Sequence, residues 1–201
     1  MMGKPRLLIY LASRSARRQE ILAAMGIPFK VVSSRYREHW CRKSSPRILS
    51  IRHALGKVQK AVLPAKARYV LGGDTIVWYD GHGLGKPKTR SEALRILRRL
   101  VGKKHAVYTG LVLWDRKTGC ILKGCAKTDV WMKPLVNAQL QHYIDTIHPY
   151  DKAGAYAIQI KPRIVRRIRG SYSNVVGFPR ELFRKMFKQM LRKTDGKDKK
   201  P

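Results

Sequence analysis

Residues 7–22, LLIYLASRSARRQEIL, constrain the fold more than any other stretch of the chain. The continuous apolar run LLIYLA suits a strand buried on both faces. It gives way within a few residues to ARRQEILAAMG, where Ile21, Leu22 and Met25 share one helical face and Gly26 marks the stop. A buried strand passing straight into a helix is the opening unit of an α/β protein. The junction carries Ser13, Arg14, Ser15, Arg17 and Arg18. Hydroxyls and guanidiniums at a helix N-terminus suit an anion, because the backbone N–H groups there point outward.

The same alternation continues along the chain. FKVVSS reads as a short strand, and Ser45 with Pro46 caps a helix whose apolar positions are Leu49, Ala54, Leu55, Val58, Ala61 and Val62. YVLGGDTIVWY is a strand interrupted at Gly72 and Gly73, followed by a DGHG turn. Thr89 and Glu92 form a capping box for the helix beginning TRSEAL. HAVYTGLVLWD and CAKTDVWM alternate in polarity and pair through the turn at RKTG. NAQLQHYIDT is a short helix, and residues 154–179 read as strands and turns. RELFRKMFKQMLRK is an amphipathic helix with Leu182, Met186, Phe187, Met190 and Leu191 on its apolar face. Its basic face could lie on a membrane, but docking on the core is the favoured reading. No internal repeat or linker divides the chain, so residues 1–194 are read as one domain and 195–201 as a frayed basic tail.

Charge is the compositional anomaly. The 201 residues hold 44 Lys and Arg against 12 Asp and Glu, a formal +32. Hydrophobic residues still make up 44%, which excludes a disordered basic tail. The cations are spread over the whole length, so nonspecific attraction of nucleic acid at low salt is expected. Cys41, Cys120 and Cys125 are odd in number and lack a zinc spacing, and the histidines are scattered. These features, with no apolar stretch long enough to span a bilayer, suit a reduced, cytoplasmic, soluble protein away from membranes.

With so few acids, each can be weighed. Asp80 and Asp115 look like turn residues, Glu92 like a cap, and Asp195 and Asp198 lie in the tail. Asp74 stands apart, since it follows two glycines in an otherwise apolar strand where a lone carboxylate is costly. Lys86 sits in LGKPKT, a loop without a Walker pattern, and Asp151 and Lys152 precede the small residues of DKAGAYAIQ. A basic cluster at a helix start, a costly carboxylate and loop lysines together point to phosphate chemistry with a metal.

LASRSARRQEIL, GGDTIV, LGKP, HAVYTG, DKAGAYAIQ and GSYSNVVGFP occur in the order of the Maf-like nucleotide pyrophosphatases, and the resemblance runs from about residue 7 to 190. It implies an α/β fold with a mixed sheet and flanking helices. Two lobes surround a cleft, as in the related inosine triphosphate pyrophosphatases. The implied activity cleaves nucleoside triphosphates to monophosphate and pyrophosphate with Mg²⁺ or Mn²⁺, and a homodimer is left open. By motif, Asp74 matches the proton acceptor and Glu38 a second carboxylate, the two being the implied metal ligands. Ser13, Arg18, Lys57 and Lys86 match the groups that hold phosphates, Lys57 and Lys86 among the catalytic set. Arg17, Thr75 and Gln159 match positions that mark the dTTP/UTP-cleaving branch, whereas the 7-methyl-GTP branch differs at Arg17. Thr109 and Lys152 fall in motifs without an assigned role. The sequence departs from the family pattern at Ala16 (usually Pro), Gly73 (usually Ala) and Ile160 (usually Gly), and KPRIVRRIRG is about one residue short. Two rival readings are the 7-methyl-GTP branch and a polyanion binder on the same scaffold that has lost catalysis.

Overall fold

A computed structural model describes residues 7–39 and 44–194; Cys41 and the tail at 195–201 lie outside them. Among the described residues, seven strands form one mixed sheet in the order β2-β1-β3-β5-β6-β7, with β4 paired to β3. Its strands are β1 (Ile9–Leu11), β2 (Phe29–Val31), β3 (Tyr69–Tyr79), β4 (His82–Leu84), β5 (Lys104–Asp115), β6 (Ile121–Met132) and β7 (Val165–Arg169). The helices are α1 (Ala16–Ala24), α2 (Pro46–Gln59), α3 (Arg90–Leu100), α4 (Asn137–Ile147), α5 (Tyr172–Val176) and α6 (Arg180–Thr194). β1 runs parallel to β2 and β3, whereas β3–β4 and β6–β7 are antiparallel. No helix of the described residues is long and apolar enough to cross a membrane.

The chain divides into two compact units. The first comprises residues 1–74, 109–125 and 177–201, and the second residues 75–108 and 126–176. In the first unit, Ile9, Leu11, Leu71, Leu111 and Leu113 pack with Leu22 of α1 and Phe183, Met186 and Met190 of α6. The terminal helix is therefore docked on a core. Phe183, absent from its predicted apolar face, is 1% exposed, while Leu182 and Leu191 are half-buried. In the second unit, Ala93, Ile96, Leu97 and Leu100 make the buried stripe of α3, at the spacing one helical face requires. They pack with Leu140, Tyr143 and Ile144 of α4 and with Val107 and Val130 of the sheet.

Helix α2 fixes the site, and two glycines let it approach the sheet. A Cβ at Gly72 would lie 2.6 Å from the Ala54 carbonyl oxygen and 2.6 Å from Val58 Cγ2, and one at Gly110 would lie 2.5 Å from the Ser50 carbonyl. Gly72 and Gly73 thus do not interrupt β3, which is continuous; the missing side chain makes room for the helix. Ser45 caps α2 by accepting from Ile48 N–H, and Pro46 occupies the first turn. The helix stops at Gln59, so Ala61 and Val62 are not on it: Ala61 bridges to Ser34, and Val62 is 48% exposed.

Other local signals resolve as follows. Thr89 accepts from Glu92 N–H at 3.1 Å, but the Glu92 carboxylate reaches Lys88 N–H, one residue before the expected partner. Residues 154–179 include α5 as well as β7 and turns. Asp115 does receive a turn hydrogen bond from Lys117 N–H, yet it is fully buried and doubly bonded to Arg68, at 3.1 and 3.0 Å.

Candidate active site

Within the first unit, Asp74 sits on β3 facing α2 and is 6% exposed. Lys57 Nζ donates to its Oδ1 at 2.6 Å, and His53 Nδ1 lies 3.1 Å from its Oδ2. These two residues are four apart on α2, one above the other on the same face, so one helix supplies a partner to each carboxylate oxygen. Lys57 Nζ also lies 2.6 Å from Oε1 of Glu38, joining the two acids through one ammonium. Burial alone would raise the Asp74 pKa, but the His53 hydrogen bond and the Lys57 charge bring it below the ordinary carboxylate value. Asp74 is therefore ionised at neutral pH.

His53 is the residue that sequence reasoning missed. Its Nε2 lies 3.1 Å from the carbonyl oxygen of His39, directly after Glu38, and its ring is 1% exposed. A carbonyl and an ionised carboxylate can only accept, so both ring nitrogens carry hydrogen and His53 is an imidazolium. Burial opposes that charge, and the hydrogen bond and charge of Asp74 outweigh it, raising the pKa. The signal in the sequence was the spacing of His53 and Lys57 on a helix packed against a strand bearing one acid.

Ser13 and Arg18 form a second group in this unit. Arg18 is buried, donating from Nε to Gly177 O at 3.0 Å and from Nη1 to Ser13 Oγ at 2.9 Å. Burial lowers its pKa, with Asp74 opposing that shift. Ser13 Oγ also accepts from Ser15 N–H, and Ser15, at the N-cap of α1, makes no side-chain capping bond. Arg17 is half-buried on α1, and Thr109 is buried on β5.

The remaining predicted residues belong to the second unit. Thr75 is half-buried on β3, Lys86 is exposed in the loop after β4, and Gln159 is half-buried. Gly154 N–H donates to Gly85 O at 3.0 Å, which ties DKAG to LGKP inside this unit. Lys152 is bonded to its neighbour Asp151.

Metal-ligating atoms of Glu38, His53 and Asp74 all lie within 4.8 Å of one another. The two carboxylates are hard oxygen donors suited to a hard divalent ion. His53 is a poor third ligand, because both of its nitrogens are protonated and engaged. That a single ammonium already sits against both acids indicates a place built for positive charge.

Several relatives of this chain share a name. A protein of Geobacter sp. (strain M21) called dTTP/UTP pyrophosphatase is 42% identical over 172 residues, covering 85% of this chain and 89% of that protein. Proteins of the same name from Thermoanaerobacter sp. (strain X514) and Dictyoglomus thermophilum are 42% and 39% identical, each covering 85% of this chain and 90% of the relative. The family model described as Maf-like protein matches residues 8–190, nearly the whole length, and the chain belongs to that family.

Proposed function

We propose that this chain is a nucleoside triphosphate pyrophosphatase, one domain over residues 1–194, that hydrolyses dTTP and UTP to the monophosphate and pyrophosphate. The observation that carries the chemistry is the buried, ionised Asp74 with an ammonium on one oxygen and an imidazolium on the other. The substrate class is supported by the shared name of relatives about 42% identical over 85% of the chain.

In this reading Asp74 accepts a proton from water. The water oxygen bonds to the α-phosphorus, and the bond from that phosphorus to the α–β bridging oxygen breaks, releasing pyrophosphate. Lys57, Lys86 and Arg18 offset the charge that builds on the leaving group, and Ser13 donates its hydroxyl to a phosphate oxygen. Arg17, Thr75 and Gln159 select the pyrimidine base. Glu38 and Asp74 would hold Mg²⁺ or Mn²⁺, which when bound neutralises phosphate charge and polarises the phosphoryl group. Lys57 also sets the strength of the base. While it rests on Asp74 the carboxylate is a weak proton acceptor, and an entering triphosphate that draws the ammonium away makes Asp74 more basic at the moment of attack.

A substrate panel tests this reading. Pyrophosphate release is measured from dTTP, UTP and 7-methyl-GTP with Mg²⁺ or Mn²⁺, and kcat/KM is expected to be higher for the pyrimidine nucleotides. A higher value for 7-methyl-GTP would overturn the substrate assignment and keep the reaction. Release from none of them would overturn both.

A further inference from the structure

The second unit carries a sheet face with a different chemistry. Along β5 and β6, His105, Val107, Thr128, Val130 and Met132 are buried, whereas the alternate positions turn outward. Those outward positions include Lys104, Tyr108, Lys127 and Trp131, and Asp129 shares their side of β6 but is buried, 5% exposed. Arg167 and Arg169 of β7 stand opposite Trp131 and Asp129 and so share that face. Arg167 lies 4.2 Å from the Trp131 ring centroid and Lys104 5.2 Å from it, and Lys127 lies 6.0 Å from that of Tyr108. Asp129 is the one acid named on the face, and it already takes Lys104, Lys127 and Arg169, at 3.1, 3.4 and 2.8 Å. Four cations against one carboxylate leave a net positive field. The side chains of Lys104, Lys127 and Arg169 are 47%, 54% and 76% exposed.

We propose that this β5–β6–β7 face binds single-stranded nucleic acid, with Lys104, Lys127, Arg167 and Arg169 on its phosphates and Trp131 and Tyr108 under its bases. Charge selects the partner. A second copy of a chain with formal charge +32 meets this face with like charge, whereas a polyanion releases counterions on contact. The aromatics select the kind of polyanion, because an unpaired strand offers base faces that a duplex keeps stacked. Lys104 and Arg167 end flexible stems, so one can leave the indole for a neighbouring phosphate as a base takes its place. The face lies wholly within the second unit and uses none of the residues assigned to nucleotide hydrolysis, so the proposal does not rest on that assignment.

The experiment measures fluorescence anisotropy of a labelled oligo(U) across a salt series, with heparin as a polyanion that has no bases. Trp131→Ala should weaken oligo(U) binding about tenfold and leave heparin binding unchanged. Arg167→Gln should weaken both and lower the salt slope by about one phosphate, whereas Lys188→Gln, on α6 of the first unit, should change oligo(U) binding little. Trp131→Phe should retain binding. Thermal melting confirms folding of each variant, and if Trp131→Ala fails to fold, the contrast of Arg167→Gln with Lys188→Gln decides. Wild-type oligo(U) binding by a folded Trp131→Ala, or equal losses for Arg167→Gln and Lys188→Gln, would overturn the proposal. So would a wild-type dimer in sedimentation that Trp131→Ala dissociates, since that outcome assigns the face to a second copy.

Discussion

His53 joins Asp74 Oδ2 to the backbone carbonyl of His39, at 3.1 Å on each side, and so holds the β3 carboxylate against the segment that carries Glu38. A ring that bonds both places sets how far apart the two acids lie. His53→Ala removes that tie and leaves one buried acceptor, Asp74 Oδ2, short of a donor, costing about 1–3 kcal/mol of stability. Turnover of dTTP should fall by roughly tenfold or more while KM changes little, because the loss is in the placement of Asp74 and not in a substrate contact. Denaturant unfolding and steady-state kinetics on one preparation check both parts. A stable variant with unchanged kcat would remove His53 from the site.

Asp74→Asn keeps the side-chain shape and removes the proton acceptor. Turnover should drop by roughly 10²–10⁴-fold. Nucleotide binding should survive, since repulsion between the carboxylate and the phosphates is relieved by the same change. Single-turnover hydrolysis paired with equilibrium dTTP binding separates the two effects.

Much of this was legible in the sequence, for identifiable reasons. β1, α1 and the cap of α2 follow from an apolar run, one helical face and a Ser-Pro pair, all of them local signals. Asp74 was found because a carboxylate in an apolar strand demands partners. Which partners it takes depends on the helix lying across the strand, and neither Lys57 nor His53 declares that alone. Gly72 was misread for the same reason. As a local signal glycine weakens a strand, but here its missing Cβ makes room for Ala54 and Val58 of α2, a contact between residues distant in sequence. Asp115 likewise reads as a turn residue until Arg68, far back in the chain, is placed beside it.

That reading of Gly72 has a direct consequence. Gly72→Ala puts a methyl group 2.6 Å from the Ala54 carbonyl oxygen, so the helix or the strand must shift. Overpacking of this kind costs about 1–3 kcal/mol. Because α2 also carries His53 and Lys57, turnover should fall with stability. Gly119→Ala on the β5–β6 turn would be a poor control, since Gly119 has φ +75° and is strained by any side chain. Gly85→Ala, with nothing within 4 Å of the added Cβ, should leave the melting temperature nearly unchanged.

A second buried histidine gives a pH dependence of its own. His105 is 3% exposed; its Nε2 lies 2.8 Å from the Tyr156 hydroxyl, and its Nδ1 has no hydrogen-bond partner. Burial lowers its pKa from 6.5 to about 4, so the folded protein keeps the ring neutral where the unfolded chain protonates it. The unfolded state then binds the extra proton, and stability must fall as pH drops from about 6.5 toward 4, by about 3 kcal/mol at most. His53 has the opposite sign and another window. Its pKa is raised, so its contribution is fully present below 6.5 and is lost as pH rises through the folded value. Asp74 and Asp115 have lowered pKa values, and their contributions are lost in more acid solution, as pH falls through those folded values. The interval between about 4 and 6.5 therefore belongs mainly to His105. His105→Gln keeps a polar side chain that does not titrate, and its unfolding free energy should be flatter with pH across that interval than the wild type's. Denaturant melts at half-unit pH steps check this, and an equally steep decline in His105→Gln would assign the slope to other groups.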